Sequence, residues 1–180
     1  YLIIMPLKQK PVDFLLDVDG ILTTGSFIYN KNGKFAKIFG PDDNDALKIT
    51  SKFLNISFLS SDFRGFKISK KRVQNDMNFK ISLVRNHQRV NWIKKNFNLK
   101  KTIYMGDGIF DWIIMKECFY AISCNNSNKL SKKYSNFTTK ANSGERAVTE
   151  ACFHLIKKFF YKKKIENLIL SHLNGNKKKT

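Results

Sequence analysis

The chain has 180 residues, the size of one domain and enough to bury a core without disulfides. A balance of 33 Lys and Arg against 14 Asp and Glu gives a net charge of +19, which favours anionic partners: phosphorylated small molecules, nucleic acid or an acidic membrane surface. Three cysteines without metal-type spacing argue against a disulfide framework and for a reducing compartment, so we expect a cytoplasmic protein. The apolar run at residues 1–5 is too short for a signal peptide or a membrane span.

The acidic residues are more informative than the basic ones. A surface that only holds polyanions has little reason to gather carboxylates, so their clustering indicates a local acidic pocket in a basic protein. Seven of the fourteen acids lie in three short stretches: Asp17 and Asp19; Asp42, Asp43 and Asp45; Asp107 and Asp111.

The first predicted strand, Phe14–Leu16, is an apolar run typical of a strand buried on both faces of a parallel sheet. Asp17 and Asp19 follow at its carboxyl end, where open α/β sheets bind their ligands. Because they are two residues apart, their side chains point to the same side if the strand geometry persists. Two like charges in one pocket repel each other, and a bound cation would neutralise them. Gly20 allows the backbone to turn sharply or to approach a bound group. The alternative is that these aspartates only cap the next turn.

A β-hairpin is predicted over residues 26–39. Asn32 and Gly33 lie between two β-rich segments, which is the strongest short hairpin signal. The hairpin would stand beside the two aspartates at the rim where substrate enters. It would act as a flap or as a site of subunit association, or be a purely structural hairpin.

Helix and strand then alternate, which predicts a doubly wound α/β fold. A helix is expected over residues 45–53, with Asp42 as a capping residue at its positive end. A second buried strand over residues 56–59 ends at Ser60. A hydroxyl at that point can reach a phosphate bound over Asp17, or it can cap the next helix.

A second acidic motif follows a later strand. The sequence T-I-Y-M at residues 102–105 leads to Gly-Asp-Gly-Ile-Phe-Asp, which contains Asp107 and Asp111. Their spacing of four suits one face of a turn entering a helix. The joint occurrence of both motifs is more specific than either alone.

The other predicted elements are a basic helix at 67–76, a strand at 80–84, an amphipathic helix after Arg89, a short strand at 121–123 and a helix within 143–156; His87 is expected on the surface.

The predicted domain covers residues 1–160. Residues 161–180 are expected to form a basic C-terminal helix and a tail disordered over residues 174–180. The segment is rich in lysine and has apolar positions such as Phe160 and Leu168. A helix with this pattern most often packs on its own domain. The alternative is contact of its basic face with a membrane or a partner.

Four stretches in chain order resemble the haloacid dehalogenase superfamily: D-V-D-G-I-L-T-T, the strand end at Ser60, Arg89 ahead of a helix, and G-D-G-I-F-D. The early hairpin, the lack of a long cap insertion and the late S-G-E-R-A-V-T-E-A resemble its capless sugar-acid phosphatases, typified by 3-deoxy-D-manno-octulosonate 8-phosphate phosphatase. The resemblance covers residues 12–158. It implies a Rossmann-like doubly wound parallel sheet with helices on both faces, a β-hairpin flap and no large cap domain.

The resemblance also implies a chemistry. Asp17 would attack phosphorus and form an aspartyl phosphate, while Asp19 would act as the acid and base. Mg²⁺, a hard cation suited to oxygen ligands, would be the cofactor. Its implied ligands are Asp17, the Asp19 carbonyl, Asp107 and Asp111; the implied phosphate-binding residues are Ser60, Gly20 and Arg89, and the implied substrate-binding residues are Thr24, Asp43 and Arg146.

Departures from the family pattern bear on the substrate. Arg89 stands where the family usually has a lysine, and Glu145 stands where the subgroup commonly has an arginine, with Arg146 one place on. The implied partner is a phosphorylated sugar acid, either an octulosonate 8-phosphate or a nonulosonate 9-phosphate, and the implied assembly is a homotetramer. No nucleic-acid partner is expected; the competing hypothesis is a basic nucleic-acid binder with a lost or incidental phosphatase site.

Overall fold

The computed structural model describes residues 10–161 and 163–176. Its strands are β1 (Asp13–Asp17), β2 (Thr23–Asn30), β3 (Gly33–Phe39), β4 (Asn55–Ser60), β5 (Lys80–Leu83), β6 (Thr102–Met105), β7 (Tyr120–Ser123) and β8 (Phe137–Thr138). Its α-helices are α1 (Asp43–Thr50), α2 (Phe66–Lys70), α3 (Asn86–Asn96), α4 (Trp112–Met115), α5 (Lys129–Tyr134), α6 (Ala147–Leu155) and α7 (Ile165–Asn176). π-Helical turns continue α2 over Lys71–Asp76 and α6 over Ile156–Phe160.

Six strands form one parallel sheet in the order β5-β4-β1-β6-β7-β8. From β1 the chain first adds β4 and β5 on one side and then returns to add β6, β7 and β8 on the other. In such sheets the carboxyl ends of the strands at the change of direction form the ligand crevice. The predicted doubly wound α/β class is confirmed, and β1 and β6 place both acidic motifs at that crevice.

The central strand β1 is buried on both faces. Phe14 and Leu16 pack with Leu47 of α1 in one apolar cluster, whereas Leu15 packs with Ile93 of α3 in a second cluster. All of them are fully buried, and full burial of a leucine or phenylalanine side chain stabilises the fold by about 1.5–3 kcal/mol. Side chains alternate across a strand, so the continuous apolar run of β1 serves both helical layers.

The hairpin of β2 and β3 is a separate two-stranded antiparallel sheet whose register shifts twice, between Thr23 and Phe27 and between Ile28 and Tyr29. Ile28 pairs with Ala36 while the next residue, Tyr29, pairs with Lys34, so Phe35 is an extra residue in β3. Such a bulge shifts the alternation of side chains by one. As a result, the side chains of Lys34 and Lys37 point to the same face of the hairpin, whereas in a regular strand residues three apart point to opposite faces.

Several boundaries differ from those predicted, and Asp42 occupies the predicted N-cap position of α1 without a side-chain capping hydrogen bond. Helix α1 begins at Asp43 and ends at Thr50 rather than covering 45–53, and α5 and β8 had not been predicted. Asp42 precedes α1 with a left-handed backbone (φ 65°) and makes no capping hydrogen bond with its side chain. Its carboxylate instead accepts a hydrogen bond from Arg146, which ties the start of α1 to the segment before α6.

The C-terminal helix packs on the domain. Leu168 of α7 is buried with Ile49 and Ile156, while Leu170 and Leu173 stay exposed. Helix α7 continues to residue 176, into the stretch predicted to be disordered; the rest of that stretch, 177–180, lies outside the described residues. Within residues 10–161 and 163–176 we find no helix with the length and hydrophobicity needed to cross a membrane.

Candidate active site

Asp17 occupies the end of β1 and is held from two directions. Its Oδ1 accepts a hydrogen bond from the backbone N–H of Val18 at 2.8 Å. The guanidinium of Arg89, from the first turn of α3, donates to Oδ2 at 2.8 Å and to Oδ1 at 3.1 Å. Both side chains are almost completely buried, so the pair lies in a region of low dielectric, where such contacts are strong.

The second acidic motif brings two more carboxylates to the same point. Asp111 lies at the start of α4, where its Oδ2 accepts from the N–H of Gly108 at 2.8 Å. Its Oδ1 accepts from the hydroxyl of Tyr104 at 2.7 Å and from Arg89 at 3.1 Å. Burial, followed by the charge of Asp17, raises the pKa of Asp111. Asp107 follows β6 after Gly106, and burial together with the charge of Asp17 raises its pKa to about 8.

These carboxylates fit a divalent cation. Asp17, Asp107 and Asp111 each offer one oxygen, and the three oxygens lie within 4.8 Å of one another. Carboxylates this close together and largely buried repel each other, and a hard cation is the usual means of neutralising them. All three residues belong to the magnesium set predicted from the sequence.

Asp19 lies beside this cluster and is bound by the hairpin. The ammonium of Lys37 donates to Oδ2 of Asp19 at 2.9 Å and lies 2.7 Å from Oδ1. Ser60 donates to the same Oδ2 at 3.3 Å. Burial raises the pKa of Asp19, and the hydrogen bond from Lys37 opposes that rise without cancelling it. A raised pKa favours the protonated form of a carboxyl group, which is the form that a general acid needs.

The predicted phosphate-binding residues lie in the same region. Ser60 is fully buried at the end of β4, and its hydroxyl accepts from the N–H of Asp62 at 3.2 Å. Gly20 faces Asp107 so closely that a Cβ would lie 2.1 Å from Oδ2 of that residue, and its φ of 79° is left-handed. Glycine is therefore required at position 20 by the approach of Asp107 and by the backbone.

The carboxylates line a cleft of about 380 Å³ at the carboxyl edge of the sheet. Its floor is acidic, and cations and apolar side chains form the walls. The lining residues include Asp17, Asp19, Phe27, Lys34, Asp62, Arg89 and Phe110. The hairpin stands over the cleft as predicted, and its Phe27 ring lies 3.4 Å below the ammonium of Lys34.

The structure gives the three predicted substrate-binding residues other contacts. Asp43 is only 1 % exposed and accepts from the N–H and the hydroxyl of Thr149, at 2.9 and 2.8 Å. Arg146 pairs with Asp42. The amide nitrogen of Thr24 would be 2.5 Å from a Cβ placed on Gly144, so Thr24 adjoins the loop before α6. The described residues that line the cleft do not include any of the three.

Sequence reasoning missed three residues of the site. Asp62 lies just after the carboxyl end of β4, as Asp17 lies at the carboxyl end of β1. The rule that parallel sheets bind ligands at these strand ends would therefore have found Asp62 as well. A tyrosine inside the short strand β6 was a signal for Tyr104, which needs a buried partner for its hydroxyl. Lys37 had no such signal, because it shares a face with Lys34 only through the bulge. His87 is exposed, as predicted.

No protein-family model matches the sequence, and no curated protein matches it. Solved structures do. The 3-deoxy-D-manno-octulosonate 8-phosphate phosphatase of Moraxella catarrhalis, crystallised with magnesium, phosphate and the sugar acid, is 24% identical with a TM-score of 0.70, over 83% of this chain and 87% of that one. The cobalt-bound deoxy-D-mannose-octulosonate 8-phosphate phosphatase of Haemophilus influenzae is 21% identical with a TM-score of 0.70, over 84% and 91% of the two chains.

A third structure extends the likeness. A Legionella pneumophila protein assigned to subfamily III A of the haloacid dehalogenase (HAD) superfamily of hydrolases is 19% identical with a TM-score of 0.74, over 92% of this chain and 91% of that chain. The chain has the HAD fold. The resemblance noted in the sequence is thereby confirmed at the level of fold, and the HAD sheet is what places the two acidic motifs at one edge.

Proposed function

We propose that the protein is a Mg²⁺-dependent phosphatase that hydrolyses the phosphate monoester of an acidic sugar. One observation carries the proposal: three carboxylates from two separate motifs meet within 4.8 Å at the end of β1 and β6. Asp19 and Arg89 complete the set, as an acid and base and as a phosphate-facing cation. The HAD fold and its neighbours named as octulosonate 8-phosphate phosphatases support this assignment.

In the proposed reaction, a carboxylate oxygen of Asp17 attacks phosphorus in line with the leaving sugar oxygen. The bond from Asp17 to phosphorus forms as the bond from phosphorus to the sugar breaks, and Asp19 gives its proton to that oxygen. Water then attacks the aspartyl phosphate while Asp19 takes a proton from it. Inorganic phosphate leaves and Asp17 is regenerated, so one difficult displacement becomes two easier ones.

The proposed magnesium ligands are Asp17, Asp107, Asp111 and the backbone carbonyl of Asp19. Bound there, Mg²⁺ would supply positive charge that lets a phosphate enter among carboxylates. Arg89 already contacts Asp17, so its guanidinium is placed to orient that carboxylate and to balance charge on the transferring phosphoryl group. Ser60 and Gly20 lie beside the acid and the metal ligands, where a phosphate oxygen would be received.

An acidic sugar is the substrate class that the walls of the cleft support. Lys34 and Arg89 supply positive charge, and Phe27 and Phe110 supply apolar surface of the kind that packs on the carbon face of a sugar. An octulosonate 8-phosphate is the leading candidate because neighbours of the fold carry that name. A nonulosonate 9-phosphate, one carbon longer, is the alternative within the same class.

We also propose a homotetramer built through the hairpin. Four apolar side chains of β2 and β3 are between 46 and 65 % exposed: Ile28, Tyr29, Phe35 and Ile38. Exposed apolar groups on two adjacent strands favour contact with another protein surface. Sedimentation equilibrium tests this, and a monomer at micromolar concentration would contradict it.

Phosphate release from a panel of esters tests the function. The panel contains octulosonate 8-phosphate, nonulosonate 9-phosphates, hexose phosphates and nucleotides, each assayed with Mg²⁺ and with chelator. We expect metal-dependent turnover of one acidic sugar phosphate that is abolished in Asp17→Asn. Absence of turnover across the panel, with an active control phosphatase, would overturn the proposal.

A further inference from the structure

Lys37 is a buried cation with no part in the proposed attack, proton transfer or metal binding. It lies on β3, outside both acidic motifs, and its side chain is fully buried. Its ammonium contacts three groups: Asp19, the carboxylate of Asp62 at 2.8 Å and the hydroxyl of Ser69 at 2.8 Å. A lysine placed so far from water needs such partners, and the arrangement is therefore specific.

Lys37 reaches Asp19 only because the hairpin is docked. The bulge at Phe35 turns Lys34 and Lys37 to the same face, and both ammonium groups bind Asp62, at 2.6 and 2.8 Å. Gly65 leaves room for them, since a Cβ there would lie 2.7 Å from each of the two lysine side chains. The hairpin is thus fastened to the loop after β4 by two ion pairs around one carboxylate.

The contact treats the two oxygens of Asp19 differently. Oδ2 accepts hydrogen bonds from Lys37 and from Ser60. Oδ1 is buried and, among the described residues, accepts no hydrogen bond of good geometry, although the ammonium of Lys37 lies 2.7 Å from it. The ammonium of Lys37 thus lies within 2.9 Å of both oxygens, and with the added hydrogen bond from Ser60 it fixes the rotation of the carboxyl group.

We infer that Lys37 is a positioning residue that orients Asp19 for acid and base catalysis, so that the acid is assembled only when the hairpin is docked. The inference rests on the proposed phosphatase function. Lys34 offers a natural comparison, because it makes the same ion pair with Asp62 and lies in the same cleft but does not contact Asp19 among the described hydrogen bonds and ion pairs.

The test compares two esters that differ in their need for an acid. An alkyl phosphate requires protonation of its leaving oxygen, whereas 4-nitrophenolate leaves without a proton. The value of kcat/KM reports steps up to release of the alcohol, so it isolates the acid role of Asp19 from its role as a base. We compare 4-nitrophenyl phosphate with the sugar phosphate that the wild type hydrolyses best, for wild type, Lys37→Met, Lys34→Met, Asp19→Asn and the double variant Asp19→Asn/Lys37→Met.

Since a positioned acid is worth about 10²–10⁴-fold, we expect Lys37→Met to lose about 30-fold or more on the alkyl ester and less than about 3-fold on the aryl ester. Lys34→Met should raise KM for the sugar phosphate and leave kcat near the wild-type value, because Lys34 faces the acidic sugar, whereas Lys37→Met should lower kcat. The double variant should be no slower than Asp19→Asn on the alkyl ester, because the two residues act as one unit. Equal losses of Lys37→Met on both esters, or additive losses in the double variant, would overturn the role of Lys37.

The fold of each variant is checked by thermal melting. If Lys37→Met does not fold, Ser69→Ala replaces it, because it removes one partner of the ammonium and leaves the charge in place. Its expected loss is selective for the alkyl ester and about 3-fold or more, and an equal change on both esters would again overturn the inference. A wild type inactive on every ester would instead overturn the proposed function itself, so the two failures are distinct.

Discussion

Arg89 meets Asp17 with both terminal nitrogens, Nη1 at 2.8 Å from Oδ2 and Nη2 at 3.1 Å from Oδ1. The same Nη1 lies 3.1 Å from Oδ1 of Asp111, so one guanidinium balances two of the three clustered carboxylates. A planar fork fixes the plane of a carboxylate, which the single point of a lysine ammonium does not. Arginine at this position is therefore compatible with the site and also gives Asp17 a defined orientation.

The first prediction concerns the loss of this counter-charge. Arg89→Met should lower the free energy of unfolding in metal-free buffer by about 3–5 kcal/mol, because it leaves buried carboxylates without their partner. Urea unfolding monitored by circular dichroism measures this. Arg64→Met is the matched control, since Arg64 is exposed and its loss should cost no more than about 0.5 kcal/mol. Equal costs for the two variants would contradict the role given to Arg89.

A second prediction concerns pH in the presence of EDTA. Asp107 has a pKa of about 8 in the folded protein against an ordinary value of 3.8, mainly because it is buried, and next because of Asp17. Between pH 3.8 and pH 8 the folded protein holds a proton on Asp107 that the unfolded chain has released. The stability that this proton binding contributes is therefore lost as the pH rises toward 8. The Tm of the wild type should fall relative to that of Asp107→Asn between pH 5 and pH 8.5.

Magnesium should raise the Tm of the wild type above that of Asp107→Asn. At pH 8 the ion replaces the proton among the carboxylates, and a ligand that binds only the folded state raises Tm. We expect Mg²⁺ to raise the Tm of the wild type and to have a smaller effect on Asp107→Asn. A difference in Tm that does not change with pH in EDTA would be inconsistent with a raised pKa at Asp107.

The parts of the site that follow from local pattern were predictable from the sequence. Strand β1 ends in aspartates after a continuous apolar run, and the rule for parallel sheets places such ends together. That rule places the two motifs at one edge of the sheet, and the resemblance implied the ligand set of Asp17, Asp107 and Asp111, which meet at one point although ninety residues separate the motifs. Boundaries were less secure, because α1 begins at Asp43 through a left-handed residue rather than a side-chain cap.

The parts that depend on tertiary contacts were not predictable. Lys37 enters the site only because one extra residue in β3 changes the alternation of side chains in the hairpin. The strand propensities of the residues do not indicate where such a bulge occurs. Asp43 was assigned to substrate from the resemblance, whereas its carboxylate faces Thr149 across two helices that are distant in sequence. A carboxylate in a sequence motif does not reveal whether a pocket or a neighbouring helix receives it.

The third prediction separates these two roles for Asp43. Thr149→Val removes the hydroxyl that donates to Oδ1 of Asp43 and keeps the side-chain volume. A buried carboxylate that loses one donor should cost about 1–3 kcal/mol of stability. KM for the sugar phosphate should stay unchanged, since the contact joins α1 to α6 outside the cleft. A raised KM with unchanged stability would return Asp43 to the substrate site.

The fourth prediction uses two glycines with left-handed backbones and different surroundings. Gly20 has φ 79° and faces Asp107, where a Cβ would lie 2.1 Å from Oδ2, whereas Gly33 has φ 115° and no atom within 4 Å of a Cβ. Alanine strains the backbone at both positions, so both variants should lose stability. Only Gly20→Ala should also push the carboxylate of Asp107 out of the cluster.

We therefore expect Gly20→Ala to weaken Mg²⁺ binding by at least about 10-fold, since loss of one positioned ligand or its support typically costs 10–100-fold in affinity. Gly33→Ala should bind Mg²⁺ as the wild type does. Isothermal titration calorimetry at a temperature where both variants are folded measures the two affinities. Because Gly20 also follows Asp19, whose carbonyl is a proposed ligand, a difference between the variants reports the surroundings of the metal site, and equal affinities would mean that neither Asp107 nor that carbonyl holds the ion.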